Sequence, residues 1–135
     1  MTKELTIGNR IYEVLNFLKE GEDHISGKEI IERVKEMKAN LGEGDCQYIL
    51  DNQKDIPEDL KDNYFIFTDW RRPAHPERVA CVDWFGVCWV QYWRSLVDDW
   101  NGGGRVLRRK LDTQILSSLD EAEIRIYINN LWSKS

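Results

Sequence analysis

All six tryptophans of this 135-residue chain, Trp70, Trp84, Trp89, Trp93, Trp100 and Trp132, lie in its second half, with eight of its ten arginines. A fold for this chain must bury most of those rings or spend them on contact with a partner. Residues 1–64 carry 15 acidic against 9 basic side chains, whereas residues 65–135 carry 9 against 10. An acidic half is thus joined to one rich in tryptophan and arginine, the side chains most enriched at the energetic centres of interfaces.

The length and a hydrophobic content of 41% fit one domain over residues 1–135 with a single core. No apolar run approaches the ~20 residues needed to cross a bilayer, and Met1-Thr2-Lys3-Glu4 does not open a secretory signal, so a cytoplasmic protein without membrane contact is expected. Cys46, Cys81 and Cys88 are odd in number and unpaired in spacing, as expected of reduced thiols. A net charge of −5 argues against generic adhesion to nucleic acid or anionic membrane.

Ile7, Ile11, Val14, Leu15 and Leu18 follow helical spacing and predict a first helix ended by Gly21. Ser26 and Glu29 form a capping box for a second helix, with Ile25 packing on Ile30 as a hydrophobic staple. A short third helix is predicted over Asp45 to Asn52, with Cys46, Ile49 and Leu50 inward. Tyr64 to Thr68 and Arg78 to Val82 are rich in aromatic and β-branched residues and predict an antiparallel hairpin, with Arg71 to Glu77 as its loop. Phe85, Trp89, Trp93, Leu96, Val97 and Trp100 predict a helix, with a strand at 87–93 as the alternative. Gly102 to Gly104 reads as a flexible joint, and Arg105 to Ser117 fits strand or helix. Ser118 with Glu121 is a second capping box, opening a helix whose face carries Ile124, Tyr127, Ile128, Leu131 and Trp132.

Three helices followed by a hairpin, with Ile25-Ser26-Gly27-Lys28-Glu29-Ile30-Ile31 opening the second helix, resemble the winged helix-turn-helix modules of regulators and restriction-system proteins over residues 5–84. The resemblance implies an α+β fold with a winged-helix-like first part, residues 1–84, and a tryptophan-rich, mainly helical second part, residues 85–135, packed on it. Its third helix would face a DNA groove, but Asp45 to Asp55 carries three acids against Lys54 as its one base, a charge that repels phosphate.

The Trp70–Arg78 loop, with Arg71, Arg72, His75 and Arg78, is the candidate binding element, able to bind phosphate, a minor groove or a partner's carboxylates; Arg105, Arg108 and Arg109 with Lys110 form a second basic cluster, and both fit solubilising charge as well. Trp89, Trp93 and Trp100 read as core before they read as a base-stacking groove. Cys46, Cys81, Cys88 and His75 lack the close pairs of a structural zinc site, so neither a metal nor a cofactor is expected. No nucleophile elbow, P-loop or zincin motif occurs. Asp59-x-Lys61 with Asp45 or Asp51 is the sole nuclease-like feature, and no catalytic residue is assigned. The sequence therefore reads as a non-catalytic regulator, adaptor or inhibitor that contacts another protein, in one version a nucleic-acid-processing machine reached by acidic charge mimicry. The alternatives are a DNA-binding regulator using the Arg71–Arg78 loop and, third, a metal-dependent nuclease.

Overall fold

A computed structural model describes residues 3–110 and 119–132. It is built on a six-stranded mixed sheet, not on a winged helix. In chain order the elements are β1 (Lys3–Ile7), β2 (Arg10–Leu15), β3 (His24–Ser26), α1 (Gly27–Glu36), α2 (Glu43–Asp51), β4 (Tyr64–Arg72), β5 (His75–Trp84), β6 (Trp89–Ser95), β7 (Asp99–Asn101), β8 (Gly104–Lys110) and α3 (Glu121–Trp132). Single 3-10 turns at Gln53–Asp55 and Glu58–Leu60 link α2 to β4. The sheet order is β1-β2-β8-β4-β5-β6, antiparallel throughout except for the parallel β4–β8 pair, and β3 and β7 form a separate two-stranded ribbon.

The helix predicted over Ile7 to Leu18 is instead the β1–β2 hairpin. Gly8 and Asn9 form its two-residue turn, with Ile7 opposite Arg10 and Gly8 at φ +58°, a conformation glycine adopts without penalty. Leu5, Ile7, Tyr12 and Val14 then share one face by two-residue alternation. The mainly helical second part is overturned in the same way. Trp89 and Trp93 lie on one face of β6, so the strand alternative at 87–93 is the one realised, displaced to 89–95.

Other expectations hold. Ser26 caps α1, its hydroxyl accepting from the Glu29 amide at 3.2 Å, and Ile25 and Ile30 are buried in the same cluster. α2 starts two residues earlier than predicted, with Cys46 and Ile49 buried. The β4–β5 hairpin forms, but its strands run on to Arg72 and His75, leaving only Pro73 and Ala74 as the turn. For the last helix the reciprocal cap is Asp120 with Glu123: the Glu123 amide donates to Asp120 at 2.8 Å and the Asp120 amide to Glu123 at 3.2 Å. Ser118 and residues 111–117 lie outside the described residues.

The sheet is buried on both faces. Phe65, Phe67, Ala80, Val82 and Leu107 point to the side covered by α2 and the 3-10 turns. Ile66, Val79, Cys81 and Val106 point to the side covered by α1 and the β3–β7 ribbon, where Trp100 and Phe17 are also buried. This is why 64–67 and 79–82 read as unbroken apolar runs. Gly104 is a tight contact, not a flexible joint: a Cβ there would sit 2.8 Å from the Phe17 ring and 2.9 Å from the Tyr64 ring. Gly104→Ala is expected to cost about 1–3 kcal/mol, the usual penalty for overpacking, read as a lower urea midpoint at unchanged slope. An unaltered midpoint would show that the β8 entrance is not close-packed.

Candidate protein-binding edge

The two edges of the sheet are treated differently. Along β1, Lys3 pairs with Asp59 and Glu4 with Lys110, and the Gly8 amide at the turn donates to Asp55 at 2.8 Å. Charged ends and an adjoining turn are how natural sheets close an edge to further strands. Along β6, Trp89-Val90-Gln91-Tyr92-Trp93-Arg94-Ser95 has one charge and neither proline nor lysine. That charge does not guard the edge. The Arg94 guanidinium lies 4.2 Å from the Trp100 ring centre and 5.3 Å from that of Tyr64, and it donates to the Asp99 carbonyl at 2.9 Å.

The register fixes which backbone groups of β6 face outward. β5 and β6 pair without interruption from Arg78 opposite Ser95 to Trp84 opposite Trp89. In an antiparallel ladder, alternate residues turn their amide and carbonyl toward the partner strand and away from it. The Leu96 amide donates to Glu77 of the β5 side at 2.7 Å, which assigns Val90, Tyr92, Arg94 and Leu96 to the inward set. Trp89, Gln91, Trp93 and Ser95 therefore face outward. Trp89 is already satisfied from outside the sheet. Its amide donates to the Gln53 side-chain carbonyl at 2.8 Å, and the Gln53 amide nitrogen donates back to the Trp89 carbonyl at 3.4 Å. Gln53 acts as a one-residue strand. At the other end the Ser95 carbonyl accepts from the Asp98 amide at 3.2 Å, and between the two no strand among the described residues pairs with the outer side of β6 at Gln91 and Trp93.

Aromatic and apolar side chains surround this stretch. On the α2 side Trp93 meets Trp70 edge-on with ring centres 5.1 Å apart, and buried Trp89 meets Trp84 at 5.9 Å and Phe65 at 5.4 Å. Trp84 carries the Lys61 ammonium 3.9 Å above its ring and, with Trp89, Val87 and Ile56, lines a cleft of about 290 Å³ beside Gln53. On the α1 side Phe85 packs edge-on against Tyr92 at 6.3 Å. Burial raises the Tyr92 hydroxyl above its ordinary pKa, so it is a neutral donor here. Phe85, Val87 and Val90 remain 60%, 85% and 40% exposed.

The structure separates the residues predicted to bind. Trp70 joins the edge as the half-buried partner of Trp93, and Arg78 lies opposite Ser95 at one end of it. Arg71 is committed to its own hairpin, donating to the Thr68 carbonyl at 2.8 Å and the Pro76 carbonyl at 2.7 Å. His75 lies 3.5 Å from Glu77, and Arg72 is exposed beside the turn. The second cluster disperses: Arg105 donates to the Gly102 and Gly104 carbonyls, Arg108 pairs with Glu13 at 3.0 Å on the α1 side, and Arg109 approaches Asp45 at 3.7 Å on the α2 side. Cys46 and Cys81 lie in clusters on opposite faces of the sheet, and burial pushes each thiol up to about 12. Among the described residues no three His, Cys, Asp or Glu side chains are grouped to hold a metal, and no helix is long and apolar enough to cross a membrane. Asp59 pairs with Lys3 while Asp45 is buried with Arg10, so the nuclease-like residues serve separate contacts.

The residues overlooked by sequence reasoning were Phe85, Val87, Val90, Gln91 and Ser95. Their signal was the β-branched and aromatic content of 87–93. No protein-family model matches the chain, and no curated protein or solved structure matches it either.

Replacing Gln53 by leucine keeps the volume and removes both bonds to Trp89. Gln53→Leu is expected to cost about 1–3 kcal/mol, the penalty for orphaning buried backbone groups, and to speed amide exchange at Trp89 while leaving Val90 and Tyr92 protected by β5. Equal protection of Trp89 in both proteins would mean that the clip does not hold that edge.

Proposed function

We propose that this protein is a non-catalytic protein-binding module that accepts an extended segment of its partner as an added strand on β6. The observation that carries this reading is the uncharged edge at Gln91 and Trp93, which no strand among the described residues pairs with, set among exposed Phe85, Val87 and Val90 while the opposite edge is closed by charge. In strand addition, main-chain hydrogen bonds supply affinity and alternate side-chain pockets supply selectivity. The outward groups of Gln91 and Trp93 are the main-chain partners, and the Trp84–Trp89 cleft beside Val87 is the pocket. Charge mimicry by the acidic half gives weaker support, since Glu4, Glu13, Glu22, Asp45 and Asp59 are each committed to a cation of this chain.

Selection of displayed random peptides against the whole protein tests the reading. Enriched peptides are expected to alternate β-branched or aromatic with polar residues, to slow amide exchange at Gln91 and Trp93, and to lose binding to Gln91→Pro. A proline at an outward-facing position blocks an added strand but removes no bond to β5. Peptides that bind Gln91→Pro as well as the parent would overturn it. A DNA-binding role has Arg72 and Arg78 as its remaining cations in the hairpin, so random duplex is expected to bind more weakly than the non-specific range of ~10⁻⁴ to 10⁻⁶ M at physiological salt. Tight, salt-sensitive binding abolished by Arg72→Ala/Arg78→Ala would favour that role instead.

A further inference from the structure

We infer that the partner segment is a protein carboxyl terminus, running antiparallel to β6 and turning off the sheet at Gln53. Its last residue places an apolar side chain in the Trp84–Trp89 cleft and its α-carboxylate against Lys54 and Lys61. The inference rests on the strand-accepting reading of the edge and adds to it the direction of the added strand and the point where it ends.

Gln53 sets the end. It holds both the amide and the carbonyl of Trp89, the outward pair that an added strand would need next after Trp93 and Gln91. A segment paired with those two residues therefore leaves the ladder after the residue opposite Val90. By strand alternation the residue that follows lies on the α2 side, the side of Trp89 and of the cleft. Ile56, Trp84, Val87 and Trp89 give that cleft an apolar lining. Its volume of about 290 Å³ is at the lower limit for a ligand pocket, room for one large side chain and not for a continuing chain.

Charge sets the direction. Lys54 and Lys61 line the cleft against one acid, Glu58, which pairs with Lys61. Lys54 is exposed, and no carboxylate among the described residues pairs with it. The opposite end of the edge is the turn after Ser95, where Asp98 and Asp99 are exposed, as is Glu77, whose carbonyl accepts from the Leu96 amide; Arg78 is the cation there. β6 runs from Trp89 to Ser95, so an antiparallel strand brings its carboxyl end to the lysines and its earlier residues to the acids. A parallel strand reverses both, setting an amino end beside two ammonium groups. Complementarity of this kind fixes orientation and register more than it adds affinity. A carboxylate takes charge-assisted bonds from both lysines and needs no peptide unit in the place that Gln53 fills.

Short random peptides displayed with a free carboxyl end are expected to yield binders that end in an aliphatic or aromatic residue. The best of these, synthesised as the free acid, is expected to bind the full chain about five-fold or more tighter than its carboxyl amide or its Gly-Ser-Gly extension. Lys54→Glu, a change at an exposed position, is expected to weaken the free acid and leave the amide unaffected. Amide and extended peptides that bind as tightly as the free acid, or equal losses of both forms in Lys54→Glu, would overturn the carboxyl-end inference. If those peptides still slow amide exchange at Gln91 and Trp93 and lose binding to Gln91→Pro, the strand-accepting reading stands and only the terminus falls. Peptides that bind without touching β6 would remove both.

Discussion

The six strands are one sheet only because β8 enters beside β4. That parallel joint is two residue pairs long, Tyr64 opposite Gly104 and Phe65 opposite Arg105. Parallel pairing is slightly weaker per residue than antiparallel, so so short a ladder needs support from its faces. Gly104 provides it on the α1 side by letting the Phe17 and Tyr64 rings close over the strand. The backbone continues the joint, with the Tyr64 amide donating to the Gly103 carbonyl at 3.1 Å and the Asn63 side chain to the same oxygen at 3.2 Å. Val106 and Leu107 then fill the two cores, one on each face. Without β8 the N-terminal hairpin would have no sheet to join.

The same strand carries the cations that hold the two halves together. Tyr12 of β2 lies opposite Arg109 of β8, and Glu13 lies opposite Arg108. On the α2 side this register gathers Arg109, Arg10 and the Tyr12 hydroxyl around the Asp45 carboxylate, with Arg10 at 3.0 Å and the hydroxyl donating at 2.6 Å. Burial, and then the neighbouring carboxylate, raise the Tyr12 pKa, so the tyrosine is a fixed donor. A buried carboxylate is tolerable only when compensated in this way, and breaking such a group by removing one partner is far costlier than never having built it. Asp45 thus fixes how α2 sits on the sheet. The sequence's contrast between an acidic half and an arginine-rich half is met partly inside the molecule, at Asp45, Glu13 and Glu4.

Periodicity explains what could and could not be read in advance. Phe85, Trp89 and Trp93 are four apart, a spacing that suits one face of a helix and one face of a strand alike. The residues between them, Val90, Gln91 and Tyr92, carry the strand preference that breaks the tie. Ile7, Ile11 and Leu15 pose the same ambiguity, and there the deciding residues are Gly8 and Asn9, a hairpin turn signal within the apparent helix. Where a local device leaves no such ambiguity, as with the Ser26 cap and the Tyr64–Phe67 run, the element was legible. The candidate edge was not, because whether a strand is central or terminal depends on pairing between β8 and β4, forty residues apart in sequence. Trp70 and Arg78 were found only as parts of a charged loop, whereas strand pairing draws them toward β6.

Gln53 shows what an added strand has to supply. Its carboxamide offers one acceptor and one donor, the same pair a peptide unit presents, and it satisfies Trp89 from the open side of the sheet. Two residues further on, at Gln91, the same two backbone groups stand in the same orientation with the same spacing to the next pair at Trp93. A protein that had only to protect its edge could have done so with a lysine or a bulge at these positions. Here a side chain covers the first position, and the outward positions that follow, Gln91 and Trp93, carry no charge. On the proposed reading, the Gln53 clip at one end and the Asp98 amide on the Ser95 carbonyl at the other would bound the stretch left for one extended partner, in contrast to an unguarded surface open to aggregation.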